Sequence, residues 1–219
     1  RAASKQSVSK FIYISSAHVY TDDLSGVISE QNIVTNSHPY ATSQVAGEQA
    51  TINGHSNTAM QTMVVRLANA IGAPISKDVN CWKLVVNDLC KQAALNRCLV
   101  IEGPSNGVRN FISMTDVCLG LEFLINNCQD PLNSIICNMG DKTKSIGSIA
   151  SDIRSIYLED KGIDLDVINL SDDRSDNQHL DFRSSVLADM GYQWSSNFSQ
   201  ELLELINFCE LEFGARNEN

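Results

Sequence analysis

Apolar runs and amphipathic stretches follow one another along the chain, and they predict strands alternating with helices. Short runs of apolar, β-branched and aromatic residues, closed by Ser, Asn or Gly, are typical of strands buried in a parallel sheet. Such runs occupy residues 11–14, 62–67, 99–101 and 134–138, while residues 164–168 alternate as a half-exposed strand does. Apolar residues at helical spacing predict helices from Pro39 to the Asn-Gly pair at 53–54 and over residues 82–94, 116–125, 146–156 and 202–209.

Polar segments without a period separate these elements. Residues 21–38 and 172–178 are predicted loops, and residues 69–74 are predicted as the turn that closes the second strand. Asp116 is predicted to cap the helix that starts there. Asn197 and Gln200 have the spacing of a capping box at the start of the last helix.

This order of elements favours an α/β fold. We expect a mainly parallel, doubly wound sheet followed by a smaller C-terminal subdomain. Hydrophobic residues make up 43% of the 219 positions, which is enough to build a sizeable core. The fold class alone does not determine the chemistry.

Composition excludes one class of partner and sets the expected compartment. The chain has 16 Lys plus Arg against 26 Asp plus Glu, a formal charge of -10, and no basic run that could follow a phosphate backbone. Nucleic acid is therefore not an expected partner. No apolar run is long enough to cross a membrane and no signal peptide opens the sequence, so a cytoplasmic location is predicted.

The seven cysteines form no C-x-x-C pair, and no His lies at metal-ligand spacing from them. We interpret them as small buried hydrophobic residues in a reducing compartment. A structural disulfide or a metal site is the alternative. No metal is predicted.

Two segments near the start of the chain carry the chemical signal. Residues 15–20 read Ser-Ser-Ala-His-Val-Tyr at the end of the first predicted strand, and residues 39–48 read Pro-Tyr-Ala-Thr-Ser-Gln-Val-Ala-Gly-Glu at the start of a helix. In order, spacing and flanking residues they resemble the extended short-chain dehydrogenase/reductase family, and within it the nucleotide-sugar epimerase/dehydratase group that is similar to UDP-glucose 4-epimerase. Members of this family carry a Ser-Ser/Thr segment followed by Tyr-x-x-x-Lys.

The resemblance assigns roles to three residues. Tyr40 and position 44 lie one helical turn apart on the same face, so both side chains reach one small volume. In the family that volume holds the reacting hydroxyl of the substrate and the ribose of an NAD or NADP cofactor. The resemblance implies that Tyr40 is the general acid/base, that Ser16 binds the same substrate oxygen, and that position 44 binds the ribose.

Position 44 departs from the family pattern, because Gln44 stands where the lysine is expected. The free phenol of tyrosine has a pKa of about 10, and a neighbouring positive charge favours the phenolate by roughly 1–3 pKa units. Gln44 can donate hydrogen bonds to a ribose but carries no charge. We expect the phenolate fraction at pH 7 to be lower by about 10- to 1,000-fold.

Two further segments resemble substrate-binding features of the family. Residues 65–74 resemble a Leu-Arg-x-x-Asn-x-x-Gly-Pro segment, which implies that Asn69 contacts the diphosphate region of a nucleotide sugar. Residues 107–117 resemble an Arg-Asp-Phe/Tyr-Ile/Val segment, which implies that Arg109 binds a phosphate, a task that suits the planar guanidinium. Asn110 replaces the usual aspartate.

Two features of the family are missing from the sequence. Dehydratases of the family place an acidic pair after the Ser/Thr, whereas Ala17 and His18 stand there, which favours epimerisation or simple redox chemistry. The G-x-x-G-x-x-G turn that binds the cofactor pyrophosphate has no counterpart. The resemblance therefore implies a partial Rossmann-like sheet that lacks its first strands, with the N-terminal part of the family absent.

The resemblance to the family also predicts the domains. Residues 1–75 form the rear part of the Rossmann-like domain with the Ser/Tyr segment, and residues 76–219 form mainly a substrate-binding subdomain, with some segments returning to the sheet. A sheet without its first strands exposes a hydrophobic edge, which predicts a homodimer or aggregation.

Two functions remain open from the sequence. The first is an NAD(P)-dependent nucleotide-sugar epimerase or reductase, impaired by Gln44 and the missing cofactor half, in surface polysaccharide synthesis. The second is an inactive, truncated homologue that binds sugar nucleotides or acts as a scaffold. Taken singly, each site residue also has a structural interpretation: a core tyrosine, a turn-capping serine, a strand-ending Asn69, and an Arg109 surface charge beside Glu102. The four histidines, at 18, 38, 55 and 179, are assigned no chemistry.

Overall fold

The computed structural model describes residues 2–55, 60–128, 134–173, 179–195 and 197–214. Ten strands lie in these ranges: β1 Lys10–Ser16, β2 Gly26–Ile28, β3 Gln61–Leu67, β4 Asn69–Ile71, β5 Cys98–Ile101, β6 Val108–Ser113, β7 Ile135–Met139, β8 Lys142–Ser145, β9 Asp166–Asn169 and β10 Leu180–Phe182. The seven α-helices are α1 Ala2–Lys5, α2 Pro39–His55, α3 Val85–Asn96, α4 Met114–Asn127, α5 Ile146–Lys161, α6 Ser185–Asp189 and α7 Phe198–Phe213, and a short 3-10 helix spans Ala17–Val19.

The first sheet consists of three parallel strands in the order β1-β3-β7. Its central strand β3 is buried along almost its whole length, as expected of a parallel strand covered on both faces. One face packs with α4 and α6 in an apolar cluster that includes Met63, Val65 and Leu124. On β1, Tyr13 and Ser15 bond to side chains of α2, so α2 covers the other face.

Three further sheets complete the fold. The strands β4, β6 and β8 form a mixed sheet, in which β6 pairs parallel to β4 and antiparallel to β8. The pairs β2-β10 and β5-β9 are both parallel. The largest apolar cluster lies between α3, α5, α7 and these strands, with Leu89, Phe111, Ile153 and Leu205 buried in it. The predicted α/β class with mainly parallel strands is confirmed.

Most predicted elements are confirmed within a few residues, but several details were wrong. Residues 26–28, predicted as loop, form β2, and Asn69–Ile71, predicted as a turn, forms β4, because each pairs with a distant strand that the local sequence does not reveal. The helix predicted from Trp82 begins at Val85, and Trp82 packs on Phe213 instead. The strand predicted to alternate has four exposed residues.

Both predicted caps differ from the observed ones. Ser113 caps α4 by accepting a hydrogen bond from the backbone N–H of Asp116, while the Asp116 carboxylate accepts from Ser113 and from Ser195. Asn197 makes no side-chain cap on α7, and Gln200 donates to Glu204 instead. The capping-box prediction was therefore wrong.

Four of the cysteines are buried, at 90, 128, 137 and 209, whereas Cys118 is exposed and does not fit the predicted role. Burial raises the pKa of the thiols of Cys137 and Cys209 to about 12, so both stay protonated at neutral pH. Of the predicted loop 172–178, residues 174–178 lie outside the described residues, as does the side chain of His55. In the part of the chain that is described, no helix has the length and apolar character needed to span a membrane.

Candidate functional site

The candidate site begins where β1 and β3 end. Both strands run in the same direction, so their carboxyl ends meet at one edge of the sheet, the usual ligand position in open α/β folds. Ser16 is the last residue of β1 and Asn69 follows two residues after the end of β3. Ser16 Oγ accepts a hydrogen bond from the backbone N–H of His18 at 3.2 Å, which leaves the hydroxyl proton of Ser16 available for a ligand oxygen.

Helix α2 places Tyr40 and Gln44 one turn apart, as predicted. Tyr40 is 49% exposed, which leaves it accessible to a ligand, and Gln44 is half-buried. The hydroxyl of Tyr13 on β1 donates a hydrogen bond of 2.9 Å to Gln44 Oε1. With its carbonyl oxygen committed, Gln44 can offer its amide N–H groups as donors.

Gly47 allows Tyr13 to reach Gln44. A Cβ atom at position 47 would lie 2.3 Å from the phenol oxygen of Tyr13, so only glycine lets the ring lie against the helix. Burial, and then the negative charge of Glu48, raise the pKa of the Tyr13 phenol, so it remains a neutral donor near pH 7. Tyr13 therefore fixes the orientation of the Gln44 side chain.

A buried ion pair anchors the helix one turn further on. Arg66 on β3 donates two hydrogen bonds to the carboxylate of Glu48, at 3.0 and 2.8 Å, and Ser15 Oγ donates a third at 2.6 Å. Both charged residues are almost fully buried, Glu48 at 1% and Arg66 at 5% exposure. Because water cannot solvate these charges, each charged group depends on hydrogen bonds to the other and to neighbouring side chains. This pair ties α2 to both strands beneath the candidate site.

The same network continues toward the second half of the chain. The guanidinium of Arg66 lies over the ring of Tyr20, 4.8 Å from its centre, and the Tyr20 hydroxyl donates to Asn138 Oδ1 at 2.7 Å. Asn138 Nδ2 donates to the carbonyl of Arg183, and its backbone N–H donates to Glu30. Glu30 thereby fixes the segment that precedes α2 to the end of β7.

Arg109 lies close to the Ser16 segment. Val108 packs against the apolar cluster that contains Ala17 and Val19, which brings the start of β6 beside the short 3-10 helix. Burial and then the positive charge of Arg109 lower the pKa of the His18 imidazole. Arg109 donates to the backbone carbonyl of Val108 and forms no ion pair with any described residue. Its charge is thus available to an anionic ligand.

Arg109 lines a cavity of about 280 Å³. Arg109 and Lys83 contribute two cations to its wall, Asp88 and Glu102 contribute two carboxylates, and the strand-end backbone around Gly103 completes one side. Asn69 lines a separate small cleft between β4 and α3. Its Nδ2 donates to the carbonyl of Asn110 at 2.9 Å, which uses one of its two amide hydrogens.

Asn110, at the position of the family's aspartate, does not support Arg109. Its side chain is buried and donates to Thr143 on β8, while its Oδ1 atom has no hydrogen-bond partner among the described residues. The side chain of Asn110 therefore links β6 to β8 within the mixed sheet. Ser16 thus ends β1, Tyr40 and Gln44 lie on α2, which bonds to β1, and Arg109 lies on β6, the strand that pairs with the Asn69 strand β4.

Sequence patterns missed several residues of the site. Glu48 lies one turn after Gln44 on α2, and Arg66 stands inside an apolar strand. A buried charge requires a partner, which was the available signal. Tyr13 and Lys83 had no such signal, because their roles depend on which strands and loops become neighbours.

The parallel sheet with this site at its carboxyl edge defines a Rossmann-like α/β protein. Residues 1–140 match the model of the NAD dependent epimerase/dehydratase family, and the chain belongs to that family. No curated protein sequence matches the chain.

Solved structures show the same fold. UDP-glucuronic acid 4-epimerase from Bacillus cereus, in complex with NAD, has a TM-score of 0.76 and 20% identity, over 97% of this chain and 65% of that one. UDP-N-acetylglucosamine 4-epimerase from Methanobrevibacter ruminantium M1, in complex with UDP-N-acetylmuramic acid, has a TM-score of 0.75 and 19% identity, over 94% and 64%. RMD from Pseudomonas aeruginosa, complexed with NADPH, has a TM-score of 0.75 and 19% identity, over 92% and 66%. The chain thus spans less than two thirds of the length of these structures.

Proposed function

We propose that the protein acts on a nucleotide sugar as an epimerase or reductase with a nicotinamide cofactor, NAD or NADP. The observation that carries the proposal is the place of Arg109, which forms no ion pair with any described residue: it lines a cavity, and its neighbour Val108 packs beside the Ser16 segment. Family membership and the UDP-N-acetylmuramic acid bound in the similar structure from Methanobrevibacter ruminantium support the same substrate class.

Each predicted site residue has a role in this proposal. Arg109 and the amide of Asn69 hold the diphosphate, and Ser16 donates to the oxygen of the reacting sugar carbon. Tyr40 takes up the hydroxyl proton from that oxygen and returns it, as a general acid/base in the exposed part of the cleft. Tyrosine without a nearby cation is a weak base at neutral pH, so proton transfer by Tyr40 limits the rate.

The residues around Gln44 fit a nicotinamide cofactor at its ribose. Because Tyr13 occupies Gln44 Oε1, the amide N–H groups are oriented as donors, which suits ribose hydroxyls. The cofactor would accept and return hydride at the sugar carbon. The twelve glycines of the sequence include no G-x-x-G-x-x-G spacing, so these 219 residues offer no such turn for the cofactor pyrophosphate.

The first test is binding of a nucleotide sugar. We expect Arg109→Ala to weaken binding of UDP-glucose by about 10- to 100-fold, because a charged hydrogen bond to phosphate contributes roughly 1.5–3 kcal/mol. Isothermal titration calorimetry measures the affinity. The control is Arg154→Ala, which removes an exposed arginine of α5 that pairs with Asp164. Equal affinity of the wild type and Arg109→Ala would contradict the assignment of this residue.

Gln44 also supports a second candidate function, because it lacks the positive charge of the lysine expected at this position. A protein that binds the nucleotide sugar at Arg109 but transfers no proton at Tyr40 would serve as a binding or scaffolding module. Binding without turnover in the wild type, with no gain on restoring a lysine at position 44, favours this function.

We also propose that the protein forms a homodimer through β1. Among the described strands β1 has a neighbour only on its β3 side, and Phe11 and Ile14 are exposed on it, Ile14 at 48%. Sedimentation velocity should show self-association, and Phe11→Lys combined with Ile14→Lys should shift the protein toward monomer. Ile33→Lys, at an 82% exposed loop position, should leave the association unchanged. A wild type that sediments as a monomer over the whole concentration range would rule out this dimer.

A further inference from the structure

A tight turn forms part of the wall of the cavity that Arg109 lines. Pro104 and Gly107 both line this cavity. The backbone N–H of Gly107 donates to the carbonyl of Pro104 at 3.1 Å, which closes a β-turn over residues 104–107. Because the two ends of the turn and Arg109 belong to the same wall, a shift of the turn changes the space beside the arginine.

The two central residues of the turn are held by a residue distant in sequence. Asp173 Oδ1 accepts hydrogen bonds from the backbone N–H groups of Ser105 at 3.1 Å and Asn106 at 3.3 Å, and from Ser105 Oγ at 2.6 Å. The bond from the Ser105 hydroxyl, and then those from the backbone, lower the pKa of the Asp173 carboxyl, so it is ionised at neutral pH. One carboxylate oxygen thus holds both middle N–H groups of the turn.

Asp173 reaches the turn because β9 runs parallel to β5, so the segments that follow the two strands leave the sheet side by side. The backbone N–H of Leu170 donates to the carbonyl of Ile101 at 3.0 Å. Ser171 Oγ donates to the carbonyl of Glu102. Residues 170–173 therefore lie along the segment that leads from β5 into the turn, and Asp173 makes the last of these contacts.

The start of α5 supports the same turn from another direction. The backbone N–H of Gly147 donates to the carbonyl of Ser105 at 2.8 Å, and that of Ile146 donates to the carbonyl of Gly107 at 3.1 Å. A Cβ atom at position 147 would lie 3.2 Å from the Ser105 carbonyl oxygen, so glycine permits this close approach. Helix α5 packs in the largest apolar cluster and is a fixed support. Asp173, by contrast, is exposed and can be replaced without disturbing the core.

We propose that Asp173 is a positioning residue of the nucleotide-sugar site: by holding the middle of the 104–107 turn, it keeps the cavity beside Arg109 in the shape that receives the ligand. The proposal rests on the proposed function, because it requires a nucleotide sugar whose diphosphate binds at Arg109. Asp173 is not among the residues that line the cavity. Its effect on affinity therefore passes through the turn.

Replacing Asp173 by alanine leaves the two middle N–H groups of the turn to water. The turn then adopts other conformations for part of the time, and the apparent affinity falls with the fraction of molecules that keep the receptive one. One hydrogen bond of ordinary net strength shifts such an equilibrium by about 2- to 10-fold. Asp173 accepts three such bonds, but α5 still holds the turn in the variant. We expect Asp173→Ala to weaken binding of UDP-glucose by about 3- to 10-fold.

Two matched variants separate the hydrogen bonds of Asp173 from its charge. Asp173→Asn removes the charge but keeps Oδ1 as an acceptor, and its affinity should stay within about twofold of the wild type. Asp172→Ala removes the same charge from the adjacent exposed residue and should bind as the wild type does. Calorimetric titration with UDP-glucose gives the four affinities. Amide hydrogen exchange over residues 103–107 reports on the turn itself, and it should be faster in Asp173→Ala and unchanged in Asp173→Asn.

The outcomes distinguish this role from the proposed function. If UDP-glucose does not bind to the wild type, both are overturned. If it binds and Asp173→Ala keeps the wild-type affinity, even with faster exchange in the turn, Asp173 has only a structural role and the proposal is overturned. Equal weakening in Asp173→Ala and in either matched variant would also overturn it, because the charge would then be the cause.

A measurement on the wild type alone tests the link between the turn and the ligand. Saturation with UDP-glucose should slow amide exchange over residues 103–107, because a ligand in the cavity favours the receptive conformation of the turn. Binding that leaves this exchange unchanged would contradict the proposal. Circular dichroism checks that each variant is folded.

Discussion

Replacing Glu48 by alanine should destabilise the protein by about 3–5 kcal/mol, because removal of one partner of a buried ion pair leaves the other charge uncompensated. Arg66 would keep its guanidinium at 5% exposure with only the ring of Tyr20 near it, and Ser15 would lose its acceptor. Urea unfolding followed by circular dichroism measures the change, as a lower midpoint with an unchanged slope.

Two variants serve as controls for this prediction. Asp164→Ala breaks the Arg154–Asp164 pair, which is also bidentate but exposed, and the urea midpoint should not move measurably. The double substitution Glu48→Leu with Arg66→Met removes both charges and should recover most of the lost stability. A single Glu48→Ala variant as stable as the wild type would show that the pair does not anchor α2.

Replacing Gln44 by lysine should raise turnover at pH 7 by about 10- to 1,000-fold, since the added cation favours the phenolate of Tyr40 one turn away. The Tyr13 hydroxyl, which now donates to Gln44, can turn and accept a hydrogen bond from the lysine, so the site can hold the new side chain. The gain should shrink as the pH approaches the free tyrosine value of about 10.

Two readouts test this substitution. Turnover of UDP-glucose with added NAD gives the rate, and the near-ultraviolet absorbance of phenolate gives the ionisation of tyrosine without any need for activity. Gln49→Lys adds the same charge to an exposed position on the opposite side of α2 and should change neither readout. If Gln44→Lys raises the phenolate signal but not turnover, the binding-module function is the better description.

Local patterns predicted the elements well where a segment interacts mainly with its own neighbours in sequence. Helix α2 starts at Pro39 and β3 ends at Leu67, as the sequence indicates. Strands β2 and β4 were missed because three residues carry no period and their partners lie far along the chain. The capping box predicted for α7 was wrong for a similar reason, because the spacing of Asn197 and Gln200 does not reveal that Gln200 bonds to Glu204.

The candidate site shows a similar division. Tyr40 and Gln44 follow from helix geometry, and Ser16 from the end of an apolar strand. Val108, beside Arg109, packs against the apolar cluster that contains Ala17, and these segments lie about 90 residues apart, so neither segment encodes the contact alone. The charge of Arg66 signalled a partner, but only the fold identified Glu48.

The location of the helix anchor has a consequence for how position 44 can change over evolutionary time. Since α2 is fastened to the sheet through Glu48, a mutation that exchanges lysine for glutamine at position 44 leaves no buried carboxylate without a partner. We therefore expect this exchange to leave the free energy of unfolding nearly unchanged, so that it is felt mainly in turnover. A lineage can lose the cation in one step, retain an intact scaffold, and regain the cation by a single reversion.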